Sequence, residues 1–491
     1  VPVINKITLL SETTVKVEID GVLYNSANGS GSLEKTDFEL TLAGGSASLK
    51  SSVPSSILSN DISLTSKDIG SSEGFVYSDE IIDADDLDGD GDIDIVAVDY
   101  QSWKLIWYKN VNGSFEKIDI DNDLKQSHSV NMVDIDSDGY IDILATSYKD
   151  GDVFWYKNNG NQVFTKNTAY ADLSGAYIAI SKDIDQDGDI DILATSLFKT
   201  ILLINDGSES FTASTIVPNY ELYAPKSAEI IDFDKDGDYD ILLASSNDRK
   251  LDWFENDGSE SFTQKTAITF SNGVNTFSST DMDGDGDIDI VAGSDKIGWY
   301  ENDGSFNFTE HAFAAYSGGV IDVEVHDING DGYKDIIAAM PSFGVYWHKN
   351  NGSQSFTSNT ISEDYSSLFV TTADLDGDGD TDVLRASSTI EWDQVNASYN
   401  LEFGVNGIPN GLDTLRVVPI LNSVFDAVGN AMEITQNNNY VILTDKLAPT
   451  MAITASNSNK AVLDGSTTND STLLLTFTSS EVTTNFSIDD I

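Results

Sequence analysis

Seven short stretches of the chain share the pattern D-x-[DN]-x-D-G-x-x-D, starting at Asp86, Asp134, Asp183, Asp232, Asp281, Asp327 and Asp374. Carboxylates at alternate positions of a tight turn can converge on a cation, and Ca²⁺ takes roughly six to eight oxygens in loose geometry. Glycine at position six allows the sharp reversal. Position seven can offer its backbone carbonyl, and Asp at position nine closes the shell. The expected ligands are Asp86, Asp88, Asp90, Asp92 and Asp94 in the first loop, and Asp134, Asp136, Asp138, Tyr140 and Asp142 in the second. The third has Asp183, Asp185, Asp187, Asp189 and Asp191, and the fourth Asp232, Asp234, Asp236, Asp238 and Asp240. The fifth has Asp281, Asp283, Asp285, Asp287 and Asp289, and the sixth Asp327, Asn329, Asp331, Tyr333 and Asp335. The seventh has Asp374, Asp376, Asp378, Asp380 and Asp382. With Asn329 in place of an Asp, the sixth loop is expected to bind more weakly. An EF-hand would need Glu at position twelve, where the first loop has Ala97, so no helix pair is expected around these loops. Magnesium suits them less, because it prefers fewer protein ligands and rigid octahedral geometry.

Short apolar runs follow the loops, as at Ile95-Val96-Ala97, Ile143-Leu144-Ala145 and Ile241-Leu242-Leu243. Runs this short, rich in β-branched residues and beside a turn, read as buried strands. Next comes a Trp-led segment: Trp107-Tyr108-Lys109-Asn110, Trp155-Tyr156-Lys157-Asn158, Trp253-Phe254-Glu255-Asn256, Trp299-Tyr300-Glu301-Asn302 and Trp347-His348-Lys349-Asn350, with Leu203-Ile204-Asn205 in the third repeat. Asn-Gly or Asp-Gly turns, as at Asn159-Gly160 and Asp257-Gly258, then lead to strands opening on Phe115, Phe164, Phe211, Phe262, Phe308 and Phe356. Successive loops start 48, 49, 49, 49, 46 and 47 residues apart. Several short strands at that period make one propeller blade. Seven loops but only six Phe-led strands leave the last blade short of a strand. The segment Ser63–Ile69 resembles the missing one and is expected to close the ring, leaving no long free sheet edge.

The chain has 491 residues, 82 acidic and 26 basic, for a formal net charge of −56. That excess excludes electrostatic binding to nucleic acid or to anionic membrane. The loops hold 32 of the 82 acids, a density that would be repulsive without a cation. Cysteine is absent, so disulfides and thiolate metal sites are impossible. No apolar run approaches the roughly 18 residues that span a membrane, so direct membrane insertion is not expected. The opening Val1-Pro2-Val3-Ile4 and the closing Asp489-Asp490-Ile491 read as cuts within a longer chain.

Residues 1–62 and 394–446 lack the repeat. They alternate apolar and polar residues, as in Thr14-Val15-Lys16-Val17-Glu18-Ile19 and Leu415-Arg416-Val417-Val418, between Gly/Asn/Ser turns, which is the pattern of sandwich strands. Each part is short for a sandwich, and joined they reach a normal size. The expected organisation is an all-β chain. A seven-bladed β-propeller over 63–393 is inserted in one immunoglobulin-like β-sandwich made of 1–62 and 394–446. Residues 447–491 begin a further such module.

On the loops and the blade period, residues 63–393 resemble the FG-GAP/VCBS family of calcium-binding propellers, whose integrin α-subunit members carry the same loop. The resemblance implies side-chain ligation from positions one, three, five and nine, which in the first loop are Asp86, Asp88, Asp90 and Asp94. The flanks are similar to bacterial-type immunoglobulin-like repeats of large surface proteins. The similarity rests on Tyr24–Gly31, Pro409-Asn410-Gly411, Asp426–Asn430 and Asp464–Asp470.

No residues are expected to be catalytic. His128, His311, His326 and His348 form no zinc spacing, and no G-x-S-x-G, Walker or dinucleotide motif occurs. Six of the seven Trp recur at one repeat position and are expected to pack between blades. Trp103, beside Tyr100 and Gln101, is a candidate for an exposed ligand contact. The expected function is a non-enzymatic, extracellular or cell-surface protein with about seven Ca²⁺. In it an immunoglobulin-like stalk presents the propeller to a glycan, a protein or neighbouring copies of itself. A carbohydrate-active enzyme or lectin is the alternative, and would need basic residues clustered on one propeller face.

Overall fold

The computed structural model describes residues 3–479 apart from 12, 21, 25–32, 45–46, 72–81, 100–101, 218–224, 260, 316–318, 354, 365–368, 378–380, 387–388, 407–409, 425–430, 433–435, 437, 445–450, 457–460 and 463–473. Among these residues the fold is all-β save for one turn of 3₁₀ helix at Lys35–Asp37.

Six consecutive repeats each form a four-stranded antiparallel sheet in simple chain order. The first comprises Ile82–Asp85, Asp94–Asp99, Lys104–Val111 and Ser114–Asp121. The others open on strands Val130–Val133, Ala176–Lys182, Pro225–Ile231, Thr276–Thr280 and Asp322–His326. In each, the Asp-rich loop joins the first strand to the second. The second strand is buried along its whole length, as in Asp142–Ser147 and Asp240–Ser245. This is why its sequence is a continuous apolar run with no alternation. The fourth strand is largely exposed, as in Phe262–Thr269.

A seventh sheet contains Phe369–Ala373, Asp382–Ala386 and Thr389–Glu402, and its fourth position is filled by Ser56–Ser71 from before the first repeat. The strand read from Ser63–Ile69 therefore lies where it was expected, with Lys67 opposite Trp392. A buried pair supports this join: Arg385 Nε donates to Asp393 Oδ2 at 2.7 Å, and Ser66 Oγ donates to Asp393 Oδ1.

Apolar side chains fill the seam between each sheet and the next. Trp107 of the first packs with Met132, Ile143 and Tyr156 of the second, and Trp253 of the fourth with Ile290 and Tyr300 of the fifth. Trp392 of the seventh sheet packs with Ile95 and Tyr108 of the first. The six repeat Trp side chains are all buried, as expected. The first strands of successive sheets touch in order, and Phe369–Ala373 of the last touches Ile82–Asp85 of the first. The arrangement is propeller-like.

The flanks interleave. Thr14–Asp20 pairs with Thr389–Glu402, Phe38–Ala43 with Asn410–Pro419, and Ser48–Leu49 with Val405–Asn406. Val15, Val17, Phe38, Leu40, Leu415 and Val417 share one core, which continues into the seam between the sixth and seventh sheets. The expected junctions at 62/63 and 393/394 fall inside the unbroken strands Ser56–Ser71 and Thr389–Glu402. Met451–Ser456, Ala461–Val462 and Leu474–Ser479 form a separate small sheet. Most of the flank segments that carried the resemblance lie outside the described residues, including 25–31, 426–430 and 464–470. Among the described residues no helix is long and apolar enough to cross a membrane.

Candidate metal centres

Each loop is wound around its first carboxylate. Asp86 accepts the Gly89, Asp90 and Gly91 amides at 2.8, 3.0 and 2.8 Å. Asp134, Asp281 and Asp327 receive amides in the same way. Glycine at position six takes φ of 96° at Gly91 and 102° at Gly188, in space a Cβ would leave free. Backbone strain and not crowding therefore selects glycine there. Position four is also left-handed, with φ of 56° at Ser137, 59° at Gln186 and 60° at Lys235. The other four loops have glycine there, with φ of 76° at Gly89 and 80° at Gly284.

The winding gathers carboxylates. One oxygen each from Asp86, Asp88 and Asp90 lie within 4.8 Å of one another, as do those of Asp134, Asp136 and Asp142, and of Asp183, Asp185 and Asp191. Asp232, Asp234 and Asp236 cluster likewise, as do Asp281, Asp283 and Asp285. The Asp88 and Asp136 side chains are only 7% and 8% exposed. Their Oδ1 atoms, with those of Asp183 and Asp232, are buried and accept no hydrogen bond. A buried carboxylate oxygen without a donor is costly, and a cation inside the turn would supply what each lacks. The donor set is all oxygen, so it fits a hard divalent ion such as Ca²⁺. Asp378 and Asp380 of the seventh loop lie outside the described residues. Asp374 there accepts the Gly377 amide at 2.9 Å.

Position nine has a second duty that the sequence did not reveal. Asp142 Oδ1 accepts the Asn158 amide at 2.7 Å, while its Oδ2 accepts the Ile135 amide at 3.2 Å and Trp155 Nε1 at 2.9 Å. Asp94, Asp191, Asp240, Asp289, Asp335 and Asp382 accept the equivalent strand amides. Each is buried. Burial pushes Asp94 and Asp335 up to about 7, and Asp142, Asp191, Asp240 and Asp289 up to about 6. The position-nine Asp thus fastens the loop to the third strand as well as facing its interior.

The side chain at position seven turns to the hairpin of its own repeat. A methyl on Gly160 would meet Tyr140 Cζ at 2.4 Å, and one on Gly207 would meet Asp189 Oδ2 at 2.4 Å. Three of the Asn residues at the end of the Trp segment or its equivalent link loops of adjacent sheets. Asn158 Nδ2 donates to Leu87 O at 3.0 Å, Asn205 Nδ2 to Ile135 O at 3.2 Å, and Asn110 Nδ2 to Leu375 O of the seventh loop at 2.9 Å.

The histidines do not assemble. His348 is buried, its Nδ1 lies 2.8 Å from Ser358 Oγ, and burial pushes it down to about 4. His311 stacks on Trp299 beside Glu301. Burial also lowers His326. Trp103 is half-buried under Lys149, and its neighbours Tyr100 and Gln101 lie outside the described residues.

A second acidic region escaped the sequence reading. A cavity of about 410 Å³ is lined by the first strands of all seven sheets. The residue three places before each loop faces it: Asp83, Asn131, Ile180, Glu229, Ser278, Glu324 and Thr371. Asp322 and His128 line it too. Burial pushes Asp83 up to about 6 and Glu229 and Asp322 to about 7. Burial and the nearby Asp322, Glu229 and Asp83 push Glu324 to about 8.

The FG-GAP-like repeat family matches residues 86–145, 134–194, 183–243, 232–292, 281–338 and 341–384, more than half of the chain. The chain belongs to the FG-GAP-like repeat family. Each matched FG-GAP-like segment takes in one or two of the Asp loops described above. No curated protein matches the chain. Several solved structures are similar to it. One is a lectin of Agrocybe aegerita described as recognising non-reducing terminal N-acetylglucosamine, at 18% identity over 62% of this chain and 88% of that one, with a TM-score of 0.45. Another is BBS1N in complex with ARL6DN, at 12% identity over 67% and 95%, with a TM-score of 0.48. A third is YCF48 bound to D1 peptide, at 11% identity over 68% and 94%, with a TM-score of 0.44.

Proposed function

We propose that the FG-GAP-like array is a seven-bladed, calcium-stabilised β-propeller. It acts without catalysis as the binding or assembly head of an extracellular surface protein, carried on immunoglobulin-like sandwich modules. The observation that carries the metal reading is the set of buried, donorless carboxylate oxygens on Asp88, Asp136, Asp183 and Asp232. The ring reading is supported by the Asn110–Leu375 bond, which repeats between the first and seventh loops the link made by Asn158 and Leu87. The interleaved flanks support an insertion, since residues before and after the array share strand pairs.

In this reading positions one, three, five and nine hold the ion, which supplies positive charge and cross-links the first strand to the second. Position one winds the loop, position nine fastens it, and the apolar seams keep the blades in register. The head would engage a glycan, a protein or further copies of the chain. A glycan and protein-ligand screen of the full chain, paired with turnover assays on acidic polysaccharides, tests the role. Product formation in the turnover assay would sink the non-enzymatic reading. An unchanged melting temperature in chelator would sink the metal reading.

A further inference from the structure

In the first, second, sixth and seventh repeats the third residue of the Trp segment meets a carboxylate of the Asp loop of its own repeat, and the charge at this place changes from repeat to repeat. In the first repeat Lys109 Nζ meets Asp88 and lies 3.1 Å from Asp90. In the second, Lys157 meets Asp136, with Asp138 at 3.8 Å and Glu209 at 2.8 Å. In the sixth, Lys349 lies 3.2 Å from Asp331. Ile204 takes this place in the third repeat, and in the seventh Gln394 Nε2 donates to Asp376 Oδ2 at 2.5 Å. The fourth and fifth repeats have acids instead, Glu255 and Glu301. They follow Phe254 and Tyr300, which pair with Ile241 and Ile290 just after their loops, as Tyr156 beside Lys157 pairs with Ile143, so they stand at the same place relative to the loop as Lys157 does.

We infer that this residue sets the cation affinity of its loop, so that the sites form a graded series. Loops four and five fill first, loops three and seven next, and loops one, two and six last. The inference rests on the metal reading above. A lysine ammonium at the position-three and position-five carboxylates competes for the oxygens a cation would use and repels its charge, whereas a glutamate there attracts it. The ammonium also neutralises its loop when no ion is bound, so loops one, two and six hold their shape at low calcium. Two partners moderate the acids: Glu255 lies 2.5 Å from Lys265, and Glu301 lies 2.7 Å from His311. Lys235, at position four of the fourth loop, lies 3.0 Å from Asp287 at position seven of the fifth, so its charge bears on both and leaves these two loops level. Asn329 removes a carboxylate from loop six, which places it last.

The test is a calcium titration of the full chain against a chelator, together with crystal structures at limiting calcium in which occupancy is refined loop by loop. Lys157→Gln should tighten one weak site about tenfold, Glu255→Gln should loosen one tight site about tenfold, and Lys157→Arg should leave the isotherm unchanged, the size following from one partly screened charge at contact distance. Lys349→Gln serves as a second probe should the Lys157 variant misfold. Equal occupancy across the loops at limiting calcium, or a Lys157→Gln isotherm identical to the parent's, overturns the grading. A chain that takes up no calcium in any loop overturns the metal reading itself, a result distinct from uniform filling.

Discussion

The Asp loops and the cavity are both acid-rich, and the position-three acids of the loops are treated differently from the acids of the cavity. In the loops, carboxylates are turned toward one another, and Asp88 and Asp136 keep buried oxygens with no donor. Along the cavity, carboxylates reach across to the next sheet. Asp83 accepts the Met132 amide at 2.7 Å, Asp322 the Val370 amide at 3.0 Å, and Glu229 the Ser279 amide at 3.2 Å. The cavity wall thus uses carboxyls as links between sheets, and it relieves their burial by raising their pKa toward the neutral form. Acid density alone does not distinguish a cation site from a structural seam. What distinguishes them is whether the surrounding backbone already satisfies the oxygens.

Removing calcium should expose this contrast most strongly. Each occupied site adds about 2.7 kcal/mol at a hundredfold excess over its Kd, so chelation should lower the melting temperature by at least about 10 °C. Calorimetry with and without chelator measures it, and identical melts would erase the difference between the two regions. Next in size is Asp142→Ala, which orphans two buried amides and the Trp155 indole. A loss of about 3 kcal/mol or more is expected already in chelator, and a larger one in calcium because Asp142 also faces the ion. Asp136→Asn should instead destabilise in calcium and change little in chelator. Denaturant unfolding under both conditions separates the two outcomes.

The cavity acids supply a pH effect of opposite sign to ordinary acid denaturation. Glu229 and Glu324 have folded-state pKa values of about 7 and about 8, above the 4.5 of an exposed Glu. The folded state therefore holds protons that the unfolded state has released. Their stabilising contribution is complete below pH 4.5 and is lost as pH rises through 7 to 8. In saturating calcium, the Glu229→Gln, Glu324→Gln double variant should lose on the order of 2 kcal/mol less than the parent between pH 5.5 and 8.5. Parallel stability curves for the two proteins would show that these carboxyls are as free as surface ones. The smallest effect belongs to the loop backbone. Gly188→Ala should cost about 1 kcal/mol, because φ is 102° there and space is not limiting. A loss several times larger in the same unfolding assay would point to crowding that the open surroundings of Gly188 do not show.

Much of this was legible in the residues. The period of the Asp loops, the apolar second strands, the buried Trp position and the strand from Ser63–Ile69 in the seventh sheet all follow local patterns. The junctions at 62/63 and 393/394 were not legible. A sandwich strand and an outer blade strand share one two-residue alternation, so Ser56–Ser71 and Thr389–Glu402 run through both without a break. Glu229 and Glu324 looked like ordinary strand acids, because nothing near them in the chain shows that seven strands meet at one cavity.

The sequence alone determined the loops. Their ligand types, the turn at position six and the number of repeats are set within nine residues at a time, so they can be read from spacing. Tertiary structure decided how each acid is used. Only the pairing of strands within each sheet placed Lys109, Lys157 and Lys349 over some loops and gave others Glu255 and Glu301 at that place. The same pairing set the position-nine carboxyls against strand amides, and packing the sheets side by side gathered acids from distant repeats around one cavity. These roles depend on distance through space, and residues as far apart as Asn110 and Leu375, separated by 265 positions, carry no mark of it in the chain.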